Sequence, residues 1–120
     1  MAAKDDFGRA GEERAALYLT THGYQVLDRN WRCSQGEIDI VAEIDGTICI
    51  VEVKTRRSTA FGHPFDAIDE RKRDRLWRLA YAWCHSHPAL SGNRKLRLEV
   101  VGIIGADPMT AVLEHWPDLR

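Results

Sequence analysis

Residues 36–56 read GEIDIVAEIDGTICIVEVKTR and hold four charged side chains whose spacing could do chemistry: Glu37, Asp39, Glu52 and Lys54. Asp45-Gly46 is a strong two-residue hairpin signal between two apolar-rich runs. In that register Ile44 faces Thr47, Asp39 faces Glu52 and Glu37 faces Lys54. A four-residue loop centred on the same dipeptide keeps these pairs, whereas a three- or five-residue loop shifts the register. Side chains alternate along a strand. One face therefore carries Glu37, Asp39, Val41, Ile50, Glu52 and Lys54, and the other carries Ile38, Ile40, Ala42, Cys49, Val51 and Val53. The second face is wholly apolar and must be buried. On the first, directly opposed residues sit with Cβ atoms ~4.5–5.5 Å apart, where like charges are destabilising. Asp39 and Glu52 need a shared proton or a cation between them, and a divalent metal with oxygen ligands is the simplest cation. Lys54, two residues from Glu52, reaches the same place. The competing reading is a solvated face with ordinary Glu37–Lys54 and Glu52–Lys54 salt bridges.

The elements that must position this hairpin follow from periodicity and breakers. Residues 5–22 read as a helix capped by Asp5 or Asp6 and stopped at Gly23. Tyr24–Arg32, Gly36–Ile44 and Thr47–Arg56 read as strands, and Ser58–Pro64 as a loop. Phe65–Ser86 reads as one long amphipathic helix with Leu76, Leu79, Ala80 and Trp83 on its apolar stripe. Lys95–Ile104 reads as a fourth strand and Ala111–Trp116 as a short edge strand. Helix, three strands, helix and one or two strands imply an α/β or α+β sandwich around a small mixed sheet. At 120 residues with 44% apolar and 29% charged side chains, the chain fits one domain with a packed core. The segment MAAKDDFGRAGEER has no hydrophobic stretch of the secretory kind, and no apolar run approaches a membrane span. Cys33, Cys49 and Cys84 lie far apart, which argues against a disulfide framework and suits reduced thiols in a cytoplasmic protein. The net charge of −1 argues against a basic whole-surface footprint and leaves room for a local patch.

Taken with their surroundings, these residues resemble a known family. Asp39, followed after the turn by Glu52-Val53-Lys54, resembles the PD-(D/E)XK nuclease superfamily. The longer pattern is Gly8-Arg9-Ala10-Gly11-Glu12, Leu17-Tyr18-Leu19, Gly23-Tyr24, Asn30-Trp31-Arg32, Gly36-Glu37-Ile38-Asp39-Ile40-Val41 and Val51-Glu52-Val53-Lys54-Thr55-Arg56. It is similar to the YraN-like family of bacterial predicted endonucleases, itself distantly similar to archaeal Holliday junction resolvases. The resemblance covers roughly residues 7–116. It implies a restriction-endonuclease-like αβββαβ core, with Asp39 and Glu52 as ligands of Mg²⁺ or Mn²⁺ and the Val53 carbonyl as a third. It also implies that Lys54 positions the attacking water and stabilises charge on the phosphate. An acid on the first helix often completes such sites. Glu12 matches, because it shares a helix face with Ala16 and Leu19, whereas Glu13 lies ~100° further round.

The implied reaction is metal-assisted hydrolysis of nucleic-acid phosphodiester bonds, with DNA, branched or flapped, as the nearest analogy. Adjacent carboxylates hold a lysine charged, so Lys54 suits an electrostatic role better than a base. Glu37 suits a salt bridge to Lys54. Arg71, Arg75 and Arg78 fall at i, i+4 and i+7 on the long helix, and Arg56 and Arg57 directly follow the Glu52 strand. All five, with Lys72, are candidate phosphate contacts, although a solvated face balanced by Glu70 and Asp74 reads equally well. Lys72 matches a family lysine and is the one expected to reach the site. The loop Phe61-Gly62-His63-Pro64 is either a cover or a plain connection. Cys84, His85 and His87 lack a fourth zinc ligand, the four tryptophans read as core or interface, and no GxxxxGK supports an ATPase. A homodimer would help so small a domain handle two strands. The alternative reading is a non-catalytic nuclease-fold module binding nucleic acid or a protein partner. A hydrolase of small phosphate compounds lacks a visible pocket motif.

Overall fold

The computed structural model describes residues 3–120, with side chains from Asp6 onward. Helix α1 (Ala3–Thr21) precedes strands β1 (Gln25–Cys33), β2 (Gly36–Ile44) and β3 (Thr47–Arg56). A 3-10 turn (Pro64–Ala67), helix α2 (Glu70–Ser86) and a four-residue helix α3 (Pro88–Ser91) lead to β4 (Lys95–Ile104) and β5 (Val112–Trp116). The five strands form one sheet in sequence order, antiparallel except for the parallel β3–β4 pair that α2 bridges. One face carries Ile40, Ala42, Cys49, Val51, Val101 and Ile103 against Ala15, Ala16 and Leu19 of α1. The other carries Val41, Ile48, Ile50, Leu98 and Val100 against Leu76, Leu79, Ala80 and Trp83 of α2. The result is the expected α+β sandwich with a mixed sheet. Among the described residues no helix is long and apolar enough to cross a membrane.

Three local expectations need correction. The helix predicted over Phe65–Ser86 is broken. Pro64 opens a separate 3-10 turn boxed by His63 and Asp66, and α2 starts anew where the Asp69 side chain accepts from the Lys72 amide at 2.8 Å. Short polar side chains that satisfy orphan amides make such starts. The cap expected at Asp5 or Asp6 is also displaced. The helix begins at Ala3, which places Asp6 within it, and the side chain of Asp5 lies outside the described residues. Finally, Ile38 does not share a face with Ile40 but packs in the α2 cluster beside Trp31, its partner on β1. Asn30 takes a left-handed φ of 54°, and the ladder skips it between the Arg29–Ile40 and Trp31–Ile38 pairs.

Gly11 sets how closely α1 approaches the sheet. A Cβ there would lie 1.9 Å from Thr55 Oγ1 and 2.9 Å from Thr55 Cβ on β3, so only glycine allows the contact. The same contact brings Glu12 to the end of β3. An interior Gly→Ala change ordinarily stabilises a helix by about 1 kcal/mol. Here Gly11→Ala is expected to destabilise instead, by roughly 1–3 kcal/mol in urea unfolding, because the added methyl must push α1 off Thr55.

Candidate active site

The site forms where β2 leaves β3. The two strands pair in the expected register from Ile44–Thr47 to Ile40–Val51, and the ladder stops there. β3 continues beside β4 to the Arg56–Ile104 pair, while β2 follows β1. The end of β3 from Glu52 onward therefore has an open edge facing Asp39. One carboxylate oxygen of Asp39 fills part of that gap by accepting from the Val53 amide at 2.8 Å. In an extended strand the carbonyl of a residue points to the same edge as its amide, so the Val53 carbonyl faces the gap as well.

The charges at the gap are uneven. Glu52 is only 6% exposed, and its Oε2 meets two ammonium groups, Lys54 Nζ at 3.0 Å and Lys72 Nζ at 3.1 Å. Among the described residues Asp39 has no such cation. Burial first, and then the Glu52 charge, push its carboxyl far above the usual carboxylate range; Glu12 and Glu37 add to the rise. Glu12 is raised too, chiefly by burial and then by Glu37, while Arg29 and a hydrogen bond with Asn30 pull the other way. Glu13, in contrast, is exposed and pairs with Arg29 at 3.1 Å. The structure thus brings Glu12, Asp39, Glu52, Lys54 and Lys72 together, with Val53 at the edge between them.

The matches to known proteins agree along this framework. The model of the "Uncharacterised protein family UPF0102" matches residues 11–103, from Gly11 on α1 to Ile103 on β4. The chain belongs to the UPF0102 family. A UPF0102 protein of Arthrobacter sp. (strain FB24) is 50% identical over 115 residues, which is 96% of each chain. One from Paenarthrobacter aurescens is 49% identical over 116 residues, covering 96% of this chain and 93% of its own. One from Leifsonia xyli subsp. xyli is 43% identical over 119 residues, 99% of each.

In this UPF0102 protein some expected pairings differ. Glu37 does not hold Lys54; it pairs with Arg32 on β1 at 2.7 Å, because the ladder that would have set it opposite Lys54 ends before it. Asp39 and Glu52 interact through their charges without being a ladder pair, for the same reason. Of the six candidate phosphate contacts, Lys72 is half-buried against Glu52, while Arg71, Arg75 and Arg78 lie along α2. Arg56 and Arg57 are exposed at and beyond the end of β3, and the Arg57 guanidinium sits 4.4 Å from the centre of the Phe7 ring. His87 stacks on Trp83 at 4.3 Å, and burial raises the Cys84 thiol, which disfavours a zinc thiolate there. Trp83 is buried and donates to Asp28 at 3.0 Å.

Two features escape a reading of the sequence. One is Asn30, whose side chain meets Glu12; an asparagine inside a strand is a poor β-former, and that is its one signal. The other is a second charged cluster on the α1 face. Glu99, fully buried, accepts from Tyr24 at 2.9 Å and Arg97 at 2.9 Å and meets His115 at 2.6 Å. Burial alone would raise the Glu99 carboxyl, but its hydrogen bonds to His115, Cys49, Arg97 and Tyr24 outweigh it and hold the carboxyl low. Its signal is Arg97 and Glu99 alternating within an apolar strand. This cluster is internally neutralised; the one at Asp39 is not.

The contrast bears on metal binding. Among the described residues no three His, Cys, Asp or Glu side chains are already gathered at ligand spacing. The donors at the gap are nonetheless hard oxygens, from carboxyl groups and one strand-edge carbonyl, and among the described residues Asp39 has no ammonium or guanidinium paired with it. That set fits Mg²⁺ or Mn²⁺. The charge also fixes a pH dependence. The folded Asp39 carboxyl is raised from 3.8 to about 8, so its ionisation costs stability progressively as pH climbs through that window. In metal-free buffer Asp39→Asn is expected to raise the melting temperature by roughly 5 °C at pH 8–9, and the difference is expected to vanish near pH 4.

Proposed function

We propose that this protein is a metal-dependent nuclease of the PD-(D/E)XK type, hydrolysing phosphodiester bonds of cytoplasmic nucleic acid, with DNA as the preferred class. The observation that carries the reading is the buried, under-neutralised Asp39 at the strand gap, beside a Glu52 that already holds Lys54 and Lys72. Asp39, Glu52, the Val53 carbonyl and Glu12 would hold Mg²⁺ or Mn²⁺. A divalent ion bound there supplies Lewis-acid polarisation of a phosphoryl oxygen and lowers the pKa of a coordinated water. The protein's own groups do the rest. Asp39 is fixed in place by the Val53 amide, so its second oxygen stays directed by the backbone. Lys54 and Lys72, both held beside Glu52, would supply two positive charges to a phosphate that gains charge on attack, and partial burial strengthens them. Arg56 and the arginine stripe of α2 supply contacts to flanking phosphates. The resemblance to the YraN-like predicted endonucleases supports the same assignment.

The alternative module, which binds without turnover, draws support from the two lysines that occupy Glu52. One experiment separates the readings. Mg²⁺ and Mn²⁺ are titrated calorimetrically into wild type and Asp39→Asn, and both are incubated with labelled duplex, single-stranded, flapped and four-way DNA. Metal binding and cutting by wild type alone are expected. Nucleic-acid binding with neither metal uptake nor cutting would give the site to the binding module. Lys54→Met is expected to retain metal affinity and lose about 10²–10³-fold in the cleavage rate, the usual cost of removing a transition-state charge.

A further inference from the structure

Beyond the carboxylates, β3 runs into a pocket of about 480 Å³ lined by Arg56, Arg57, Ser58, Phe61, His63 and Asp66 among others. Its size falls within the ~300–1,000 Å³ of ordinary small-ligand sites. Arg56 lies two residues after Lys54 on the same strand face, about 7 Å further along. The pocket therefore continues the line of Glu52 and Lys54.

Its rim carries an unusual side chain. Phe61 is 105% exposed, and of the three phenylalanines it is the one in open solvent: Phe7 lies under the Arg57 guanidinium and Phe65 stacks on Trp116 at 5.2 Å. The segment that presents Phe61 is tied down on both sides. The Gly62 amide donates to the Thr59 carbonyl at 2.9 Å, and the Ala60 amide to Ser58 Oγ at 3.2 Å. His63 accepts from the Phe65 amide at 3.1 Å through Nδ1, which leaves Nε2 as the donor to Glu114 of β5. Asp66, the acid in the pocket, is turned to the His63 amide at 3.2 Å as part of the 3-10 cap. What a ligand meets is an exposed aromatic face and two cationic guanidinium groups, of which Arg56 spends one N–H on the Thr55 carbonyl at 3.0 Å and Arg57 lies over the Phe7 ring, with further N–H donors on each. That is the combination that binds single-stranded nucleic acid: cations along the backbone and a ring on which any base can stack. A base inside a duplex already stacks on both neighbours and offers no free face.

We infer that this pocket is a subsite for an unpaired nucleotide flanking the phosphate at Lys54, with Phe61 stacking on its base and Arg56 and Arg57 holding its phosphates. The substrate class is then nucleic acid with a single-stranded segment beside the cut. The inference rests on the nuclease reading for its place in the reaction, but its test reads binding alone.

The test uses a ten-nucleotide single strand carrying 2-aminopurine and the matching blunt duplex, in chelator, with wild type, Phe61→Ala, Phe61→Trp and Arg56→Ala/Arg57→Ala. Tighter binding of the single strand by wild type is expected, with quenching of the 2-aminopurine as the base stacks. Phe61→Ala should lose about five- to hundredfold in single-strand affinity and most of the quenching, with duplex affinity unchanged, and Phe61→Trp should restore both. The double arginine variant should flatten the salt dependence by about 0.7 for each phosphate no longer neutralised. Phe61 lies wholly in solvent, so its removal leaves the core intact. Unchanged single-strand affinity and quenching in Phe61→Ala would overturn the subsite, as would wild-type preference for the duplex. Cutting by wild type, scored separately with Mg²⁺ or Mn²⁺, keeps the two readings apart. Cutting without a Phe61 effect sinks the subsite alone, and a Phe61 effect without cutting sinks the nuclease alone.

Discussion

The arrangement of this site depends on the hydrogen bond between the Asp39 carboxylate and the Val53 amide. A strand that parts from its neighbour leaves amides and carbonyls bare, and bare backbone groups in a partly buried place are costly. Here β2 leaves β3 after the Ile40–Val51 pair, and a side chain takes over the work of the ladder. The gap is thereby stabilised without being closed. A carboxyl group is fixed in it, a carbonyl edge stays open, and β3 goes on paired with β4 alone. Glu52 and Lys54 can then face α2, from which Lys72 reaches them, while α1 delivers Glu12 from the other side across the Gly11–Thr55 contact.

The two buried acidic centres show how magnitude separates structure from function. Two unit charges about 5 Å apart interact by about 3 kcal/mol at an effective dielectric near 20. At Glu99 that energy is favourable, because Arg97 lies against the carboxylate and Tyr24 donates to it. The carboxyl is held low and the cluster ties β4, β5 and the loop before β1 together. At Asp39 the same energy is unfavourable, since Glu52, Glu12 and Glu37 are all anions. Hydrogen bonding from one amide is worth roughly 1–3 kcal/mol to a charged group and does not cancel three carboxylates and burial together. At Glu99 the carboxylate charge is met within its own cluster, whereas among the described residues Asp39 has no cation of its own.

The hairpin is the most legible part of the molecule. A two-residue Asp-Gly turn leaves one register, so the Val41–Ile50 and Ala42–Cys49 pairs follow from the turn alone. The same logic fails at Ile38 and at Glu37, where it extends a ladder past its end. Beyond Ile40 β2 pairs with β1 alone, and the left-handed Asn30 lies beside that stretch on β1. The helix over Phe65–Ser86 fails differently. Its apolar stripe is real from Leu76 to Trp83, but the first residues are governed by local capping at Asp69 and by Pro64, which compete with periodicity.

By itself, then, the amino-acid order determined the five strands, the first helix and the body of α2, the hairpin register from the turn to the Ile40–Val51 pair, and that Asp39, Glu52 and Lys54 would gather at the far end of the hairpin. Turn chemistry and strand alternation act over a few residues and need no distant partner. The tertiary structure alone decided that the β2–β3 ladder stops at the Ile40–Val51 pair, that Glu37 goes to Arg32, and that Asn30 meets Glu12. It also decided that Phe61 stands clear of the core. Each of these depends on where one element stops and how closely another approaches. Those distances are set by packing between residues far apart in the chain, such as Gly11 against Thr55, which no local pattern encodes.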